Sequence, residues 1–240
     1  MVREPRRRIL CVRVAALYDV HGNVRALEAV LRDLGRDRVD VVLFGGDLAW
    51  GPYPRETFEL ARSLANAKFI RGNADEISTI DTTDARRDFV LGHLGEDDAH
   101  WLQSRPFSWS ADDTLYVHAS PRDTETPYFA WSPPEILAAA LDGVAESRVV
   151  SGHVHMQTDV RVGTKHWTCA GSVGFPYEDE PGAYWTLLVD GMPEFRRSDY
   201  DVDAAAAGIR KSGHPRAHEY ADMIERPMTA AEVRATWGAA

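Results

Sequence analysis

Two aspartates, one asparagine and four histidines occupy matching places along this 240-residue chain, each at or just after the end of an apolar run. Asp19 and His21 follow "ILCVRVAALY", Asp47 follows "VDVVLFGG" and Asn73 follows "AKFIRG". His118 closes "TLYVH", and His153 and His155 close "RVVSGHVH". Carboxylate, amide oxygen and imidazole make a mixed N/O donor set. Such a set suits manganese, iron, zinc, cobalt or nickel and is too rich in imidazole for a dedicated calcium site. Seven donors exceed the needs of one ion, so two divalent ions sharing a carboxylate is the economical arrangement, with Asp47 the expected bridge. Two carboxylates and a bridging hydroxide leave such a centre net positive, able to attract a phosphate ester. Two ions about 3.5–4 Å apart can bring bound water to a useful pKa and clamp attacking and leaving oxygens. The chain has no GxSxG, and neither Cys11 nor Cys169 has an obvious activating partner, so no better nucleophile competes.

The elements that must position these residues read as α/β in the first half. Strands are expected over Ile9–Leu17, over "VDVVLFGGD" and over "AKFI". A helix over Val24–Leu34, capped by Asn23, and another over Pro54–Ala65 lie between them. That order predicts parallel strands with helical crossovers, and ligands beyond the carboxyl ends of the strands. Further helices are expected over Asp84–Leu91, Asp97–Ser104 and "PPEILAAAL", and strands at "TLYVHAS" and "SRVVSGHVH". From Val160 onward the pattern turns to strands, "HWTCAGS", "GAYWTLLVDG" and "PEFRRSDY", the last two a hairpin across Asp190-Gly191. A second sheet packed on the first accounts for them. The last forty or so residues, with "DVDAAAAGI" and "TAAEVRATW", read as helical.

A formal charge of −10 argues against general nucleic-acid backbone binding. The two cysteines form no CxxC pair and read as core thiols of a reducing compartment. "MVREPRRRIL" is basic but lacks the apolar segment of a secretory signal, and no apolar run approaches the length of a membrane span. A cytoplasmic protein without a membrane partner is expected; the sequence leaves its oligomeric state open. His93, His100, His166, His214 and His218 lack strand-end placement and read as structural or exposed.

In order along the chain stand "DVHGN" (19–23), "GGDLAWGP" (45–52), "RGNADE" (71–76), "VHASPRD" (117–123), "GHVH" (152–155) and "CAGSVGFP" (169–176). With these motifs the sequence resembles the calcineurin-like metallophosphoesterases over about Ile9–Phe195, and is most similar to their compact prokaryotic phosphodiesterase branch. The resemblance implies a two-sheet β-sandwich flanked by helices on both faces, a four-layer α/β/β/α fold. It implies a metallophosphoesterase domain over 1–198 and a helical extension over 199–240 packed on it. It puts Asp19, His21, Asp47 and His155 around one ion, and Asp47, Asn73, His118 and His153 around the other. Asp47, Asn73 and His118 are the expected catalytic residues, and manganese the favoured metal.

The sequence departs from the family where many members have Gly-Asn-His-Glu: here Ala74 follows Gly72-Asn73. The missing histidine is a substrate-orienting or leaving-group acid, and general acid catalysis is typically worth ~10²–10⁴-fold. Its absence favours diesters with acidic leaving groups, with Asp75 or His118 as replacement acids. Trp50, Tyr53 and Tyr128 are expected to line a cleft that could stack a flat leaving group, and Arg71 and Arg122 to contact phosphate oxygens. The expected reaction is metal-dependent phosphodiester hydrolysis of a small or nucleotide-like substrate. A phosphomonoesterase or dinucleoside-polyphosphate hydrolase on the same site, and a metal-binding scaffold with weak catalysis, are the alternatives.

Overall fold

The computed structural model describes residues 12–238. Strands β1 (Val14–Leu17), β2 (Val41–Phe44) and β3 (Ala67–Phe69) pair in parallel, joined by helices α1 (Val24–Leu34) and α2 (Pro54–Arg62). Asn23 caps α1 by accepting from the Ala26 amide, and Pro54 opens α2 where its missing N–H costs nothing. The expected α1 is matched end to end. Helix α2 stops three residues early, at Arg62.

Two antiparallel strands, β9 (Ala183–Val189) and β10 (Met192–Ser198), complete the first sheet in the order β10-β9-β1-β2-β3. The second sheet holds β4 (Ser108–Ala111), β5 (Thr114–Val117), β6 (Arg148–Ser151), β7 (Gln157–Val162) and β8 (Lys165–Ala170). Its order is β4-β5-β6-β8-β7.

Alternation along the strands decides the layers. On β1, Val14 and Ala16 turn toward the second sheet and join Leu43, Tyr116, Val150 and Ala170. Ala15 and Leu17 turn the other way, onto Leu27 and Val30 of α1 and Phe58 of α2. Leu27 and Val30 are fully buried, each worth roughly 1.5–3 kcal/mol. Helices α3 (Ala85–Leu94) and α4 (Glu96–Gln103) extend that outer layer, and α5 (Pro134–Ala140) covers the opposite face through Leu137 and Ala140 against Val149 and Trp167. The result is the α/β/β/α sandwich.

Beyond β10, helices α6 (Val202–Ile209) and α7 (Ala217–Glu225) share a cluster with Phe175, and Tyr53 packs against it. Helix α8 (Ala230–Trp237) buries Val233 and leans Trp237 on Tyr177, ring centroids 5.7 Å apart.

Four expectations differ. The hairpin of β9 and β10, expected in the second sheet, instead joins the first by antiparallel pairing of β9 with β1. Residues Ile9 to Cys11 of the expected first strand lie outside the described residues, which place β1 from Val14. The strand expected over "SRVVSGHVH" stops at Ser151, because His153 and His155 take left-handed φ values that no strand accepts. Strands β4 and β7 were not foreseen: β4 forms a hairpin with β5 across Asp112 and Asp113, both at positive φ.

Candidate metal centre

The loops that carry the seven donors leave the adjoining ends of the two sheets. Eight non-glycine residues among those described have positive φ, and five of them are Asp19, His21, Asp47, His153 and His155. Such a conformation costs of order 1–3 kcal/mol per residue and persists where the surroundings over-determine it. Here they do. The Asp19 amide donates to the Gly46 carbonyl at 3.2 Å and the His21 amide to the Asp47 carbonyl at 2.9 Å. Across the seam, the His153 amide donates to Asp19 Oδ2 at 2.7 Å. Glycine is required where the loops touch: a Cβ at Gly46 would stand 2.6 Å from His118 Nδ1, and one at Gly72 would overlap Asp47 Oδ1.

Backbone carbonyls fix the histidine tautomers. His21 Nδ1 faces the Trp50 carbonyl at 3.1 Å, His118 Nδ1 that of Gly45 at 2.9 Å, and His155 Nδ1 that of Phe175 at 2.6 Å. A carbonyl only accepts, so each Nδ1 carries the proton, and in the neutral ring the Nε2 lone pair points inward, as metal ligation requires. The inward atoms converge. His155 Nε2, His21 Nε2 and His118 Nε2 stand 3.4, 3.8 and 3.9 Å from Asp19 Oδ1. Asp47 spreads its two oxygens, Oδ2 at 3.5 Å from His21 Nε2 and Oδ1 at 3.5 Å from His118 Nε2.

Asp19 Oδ1 is buried with no hydrogen-bond partner, an orphaned anionic acceptor surrounded by imidazoles. Such an atom is explained by a cation, and two donor groups fit one each: Asp19, His21 and His155, and Asp19, Asp47 and His118. The two groups share Asp19, and together they make a dinuclear divalent-metal site. Asp47, expected from the sequence as the bridge, belongs to the second group alone, with Oδ2 3.5 Å from His21 Nε2 and Oδ1 3.5 Å from His118 Nε2.

Asn73 Oδ1 lies 3.0 Å from His118 Nε2, on the inner side of that ring. His153 differs from the other three and belongs to neither donor group: its Nε2 faces the Glu125 carbonyl at 2.8 Å, leaving the lone pair of the neutral ring on Nδ1. Its ring is edge-on to that of His118, centroids 5.2 Å apart.

Electrostatics follow from burial and this crowding. Burial works to raise the Asp19 pKa, but His155, His118 and His21 overcome it and hold the carboxyl well below its usual range. Burial also opposes protonation of His118 and His155, yet the Asp47 and Asp19 carboxylates hold the first above its ordinary value, and Asp19 the second. His21 and His153 are held low, chiefly by burial. A buried carboxylate surrounded by imidazoles whose lone pairs point inward is an electrostatic cradle that divalent ions would complete.

Asp75 is a supporting residue whose position the sequence did not reveal. Its carboxyl accepts from the backbone amides of Asp47, Leu48 and Gly72 at 2.8, 3.2 and 2.9 Å, tying the loop after β2 to the loop after β3. Burial and the neighbouring Asp47 push its pKa up to about 7. The Ala74 amide donates to Asp47 Oδ1 at 2.8 Å, so position 74 holds the carboxylate through its backbone.

A cavity of about 350 Å³ opens over the donors. Trp50 and Ala74 line it; the other expected substrate contacts lie elsewhere. Arg71 donates to Glu76 at 2.9 Å and to the Arg105 carbonyl at 3.0 Å. Arg122 braces the end of α5 through the Ala139 and Asp142 carbonyls. Tyr128 packs on Trp167, and Tyr53 on the cluster of α6 and α7. The cations on the cavity wall are Arg86 from α3 and Arg216 from the turn into α7. Sequence reading passed over both, because no spacing links residue 216 to residue 47. The one available signal was the regular recurrence of large and charged residues at 216, 219, 220 and 223.

A family model described as the calcineurin-like phosphoesterase superfamily domain matches residues 12–192. Among solved structures the chain is similar to a metallophosphoesterase from Sphaerobacter thermophilus. That protein is 26% identical over 89% of this chain and 98% of the other, with a TM-score of 0.73. It also shares the fold of the hypothetical protein PH1004 from Pyrococcus horikoshii OT3, 22% identical over 91% and 100% of the two chains, TM-score 0.78. No curated protein matches the chain. The chain belongs to the calcineurin-like phosphoesterase superfamily.

Proposed function

From that membership and the paired donor groups, we propose that the chain is a dinuclear-metal-dependent phosphodiesterase acting on a small or nucleotide-like ester. The observation that carries the reading is the orphaned Asp19 Oδ1 at the meeting point of both donor groups. Asp19, His21, Asp47 and His155 are the proposed ligands of one ion, and Asp47, Asn73, His118 and His153 those of the other. Manganese is the favoured metal. Two bound divalent ions supply Lewis acidity and a nucleophile at neutral pH. The protein's share is geometric: carbonyls hold the imidazoles in their ligating tautomers, Asp75 holds the Asp47 and Gly72 loops together, and Ala74 leaves open the wall where a histidine would act as acid.

That open wall supports diesters with acidic leaving groups over monoesters, and the "HASPRD" and "GSVG" motifs support membership of the compact phosphodiesterase branch. The segment 199–240 is proposed as an extension of the 1–198 domain that contributes to the same site. No helix among the described residues is long and apolar enough to cross a membrane; together with the sparse cysteines, this supports a cytoplasmic setting without a membrane partner.

The test is hydrolysis of bis(p-nitrophenyl) phosphate and p-nitrophenyl phosphate by metal-depleted protein reloaded with manganese, nickel, cobalt or zinc. Metal-stimulated cleavage of the diester, with little of the monoester, is expected. Equal or better monoester turnover reverses the substrate preference, and no cleavage with any metal leaves a binding scaffold.

A further inference from the structure

Helix α7 lies beyond the family-matched residues 12–192, yet one of its faces forms a wall of the cavity over the donor groups. Arg216, Glu219, Tyr220 and Met223 recur at helical spacing on that face. Opposite them, Arg86 is held by Asp84 at 3.0 Å, with its guanidinium 5.6 Å from the Trp50 ring centroid. Arg86 and Arg216 both act on His214, which is 4% exposed and whose pKa burial and these two cations push down to about 4. The Arg216 amide donates to His214 Nδ1 at 3.1 Å, so the backbone bearing Arg216 is anchored while its half-exposed side chain reaches Glu219.

We propose that this wall selects phosphodiesters carrying a second anionic group, which Arg86 and Arg216 hold away from the donor groups while Glu219 yields its place. The inference rests on the phosphodiesterase reading. Arg216 presents Nε and Nη2 to the Glu219 carboxylate in a forked pair. Its Nη1 has no partner among the described residues. Both side chains are nearly half exposed, 46% and 47%. An ion pair that wet is worth only about 0–1 kcal/mol, so its exchange costs little. A phosphate or carboxylate offers the same fork geometry as Glu219, and phosphate offers more charge. Glu219 thus stands where the second anion binds. Trp50 and Tyr220 border the space between the two anions.

The experiment titrates the full chain, in manganese, with adenosine 3′,5′-bisphosphate and adenosine 5′-monophosphate by calorimetry, and follows both as inhibitors of bis(p-nitrophenyl) phosphate hydrolysis. The expected preference for the bisphosphate is on the order of tenfold, as a charge-assisted hydrogen-bond pair provides. Arg216→Gln and Arg86→Gln bring the ratio toward one. Glu219→Gln raises it, and a wall that only supports the fold would not produce opposite shifts from adjacent partners of one ion pair. Equal binding of the two nucleotides, no measurable binding of either, or a fall in the ratio with Glu219→Gln overturns the proposal. Preference without ester hydrolysis sinks the phosphodiesterase reading alone; hydrolysis without preference sinks only the selection by α7.

Discussion

His21 and His155 face each other through their Nε2 atoms at 3.3 Å, while each ring's Nδ1 is committed to a backbone carbonyl. In neutral rings this opposes two lone pairs. A divalent ion held by Asp19, His21 and His155 would relieve it and would also satisfy Asp19 Oδ1.

Asp47→Ala removes both oxygens that face the two sides of the centre. Loss of even an outer partner of a metal ligand typically costs about 10–100-fold in metal affinity or activity. Asp47→Ala is expected to exceed that range in diester turnover and to lower the manganese content after gel filtration. His100→Ala, on the exposed side of α4, should change stability by no more than about 0.5 kcal/mol and leave metal content unaltered. Full metal occupancy in Asp47→Ala would remove that residue from the ligand set.

Asp75→Ala leaves three buried or loop-bound amides, those of Asp47, Leu48 and Gly72, without their acceptor. Each lost partner in a buried setting costs about 1–3 kcal/mol, so the melting temperature should fall by several degrees and manganese affinity by about 10–100-fold. A variant that melts lower but binds manganese normally would restrict Asp75 to stability.

Ala74→His puts an imidazole on the cavity wall beside the donor groups. The expected result is a rise of about tenfold or more in monoester turnover relative to diester, toward the range general acid catalysis supplies. Unchanged rates on both esters would mean that position 74 does not set leaving-group preference.

His214 gives a pH dependence whose sign is fixed. Burial, with Arg86 and Arg216 nearby, lowers its folded-state pKa from 6.5 to about 4. The unfolded chain therefore takes up a proton between those values that the folded chain refuses. The stability this residue contributes is whole above about pH 6.5 and is lost as pH falls toward 4. Melting curves of wild type and His214→Gln should converge with acidification across that window; parallel curves would show that His214 titrates normally.

Much of this centre was legible in the sequence because its donors sit at strand ends, and strands announce themselves by apolar runs. Asp19, Asp47 and His118 were placed by local pattern alone. His153 and His155 were read on a strand that the chain leaves at Gly152, since a dihedral change of sign has no compositional signature in "GHVH". Arg71 and Arg122 stand close in sequence to expected ligands, yet the fold spends them on Glu76 and on the Ala139 and Asp142 carbonyls. Arg86 and Arg216 reach the cavity only through the packing of α3 and α7, a long-range outcome that neighbouring residues do not encode. The same holds for Asp75, whose three amide partners come from two different loops.

Because Asp19, Asp47 and Asn73 descend from one sheet and His118, His153 and His155 from the other, bound cations would act as rivets through the sandwich seam. Emptying the centre would leave the layers joined by the apolar contacts of Val14, Ala16, Leu43, Tyr116 and Val150. Resistance to shear between the layers should therefore track ion loading.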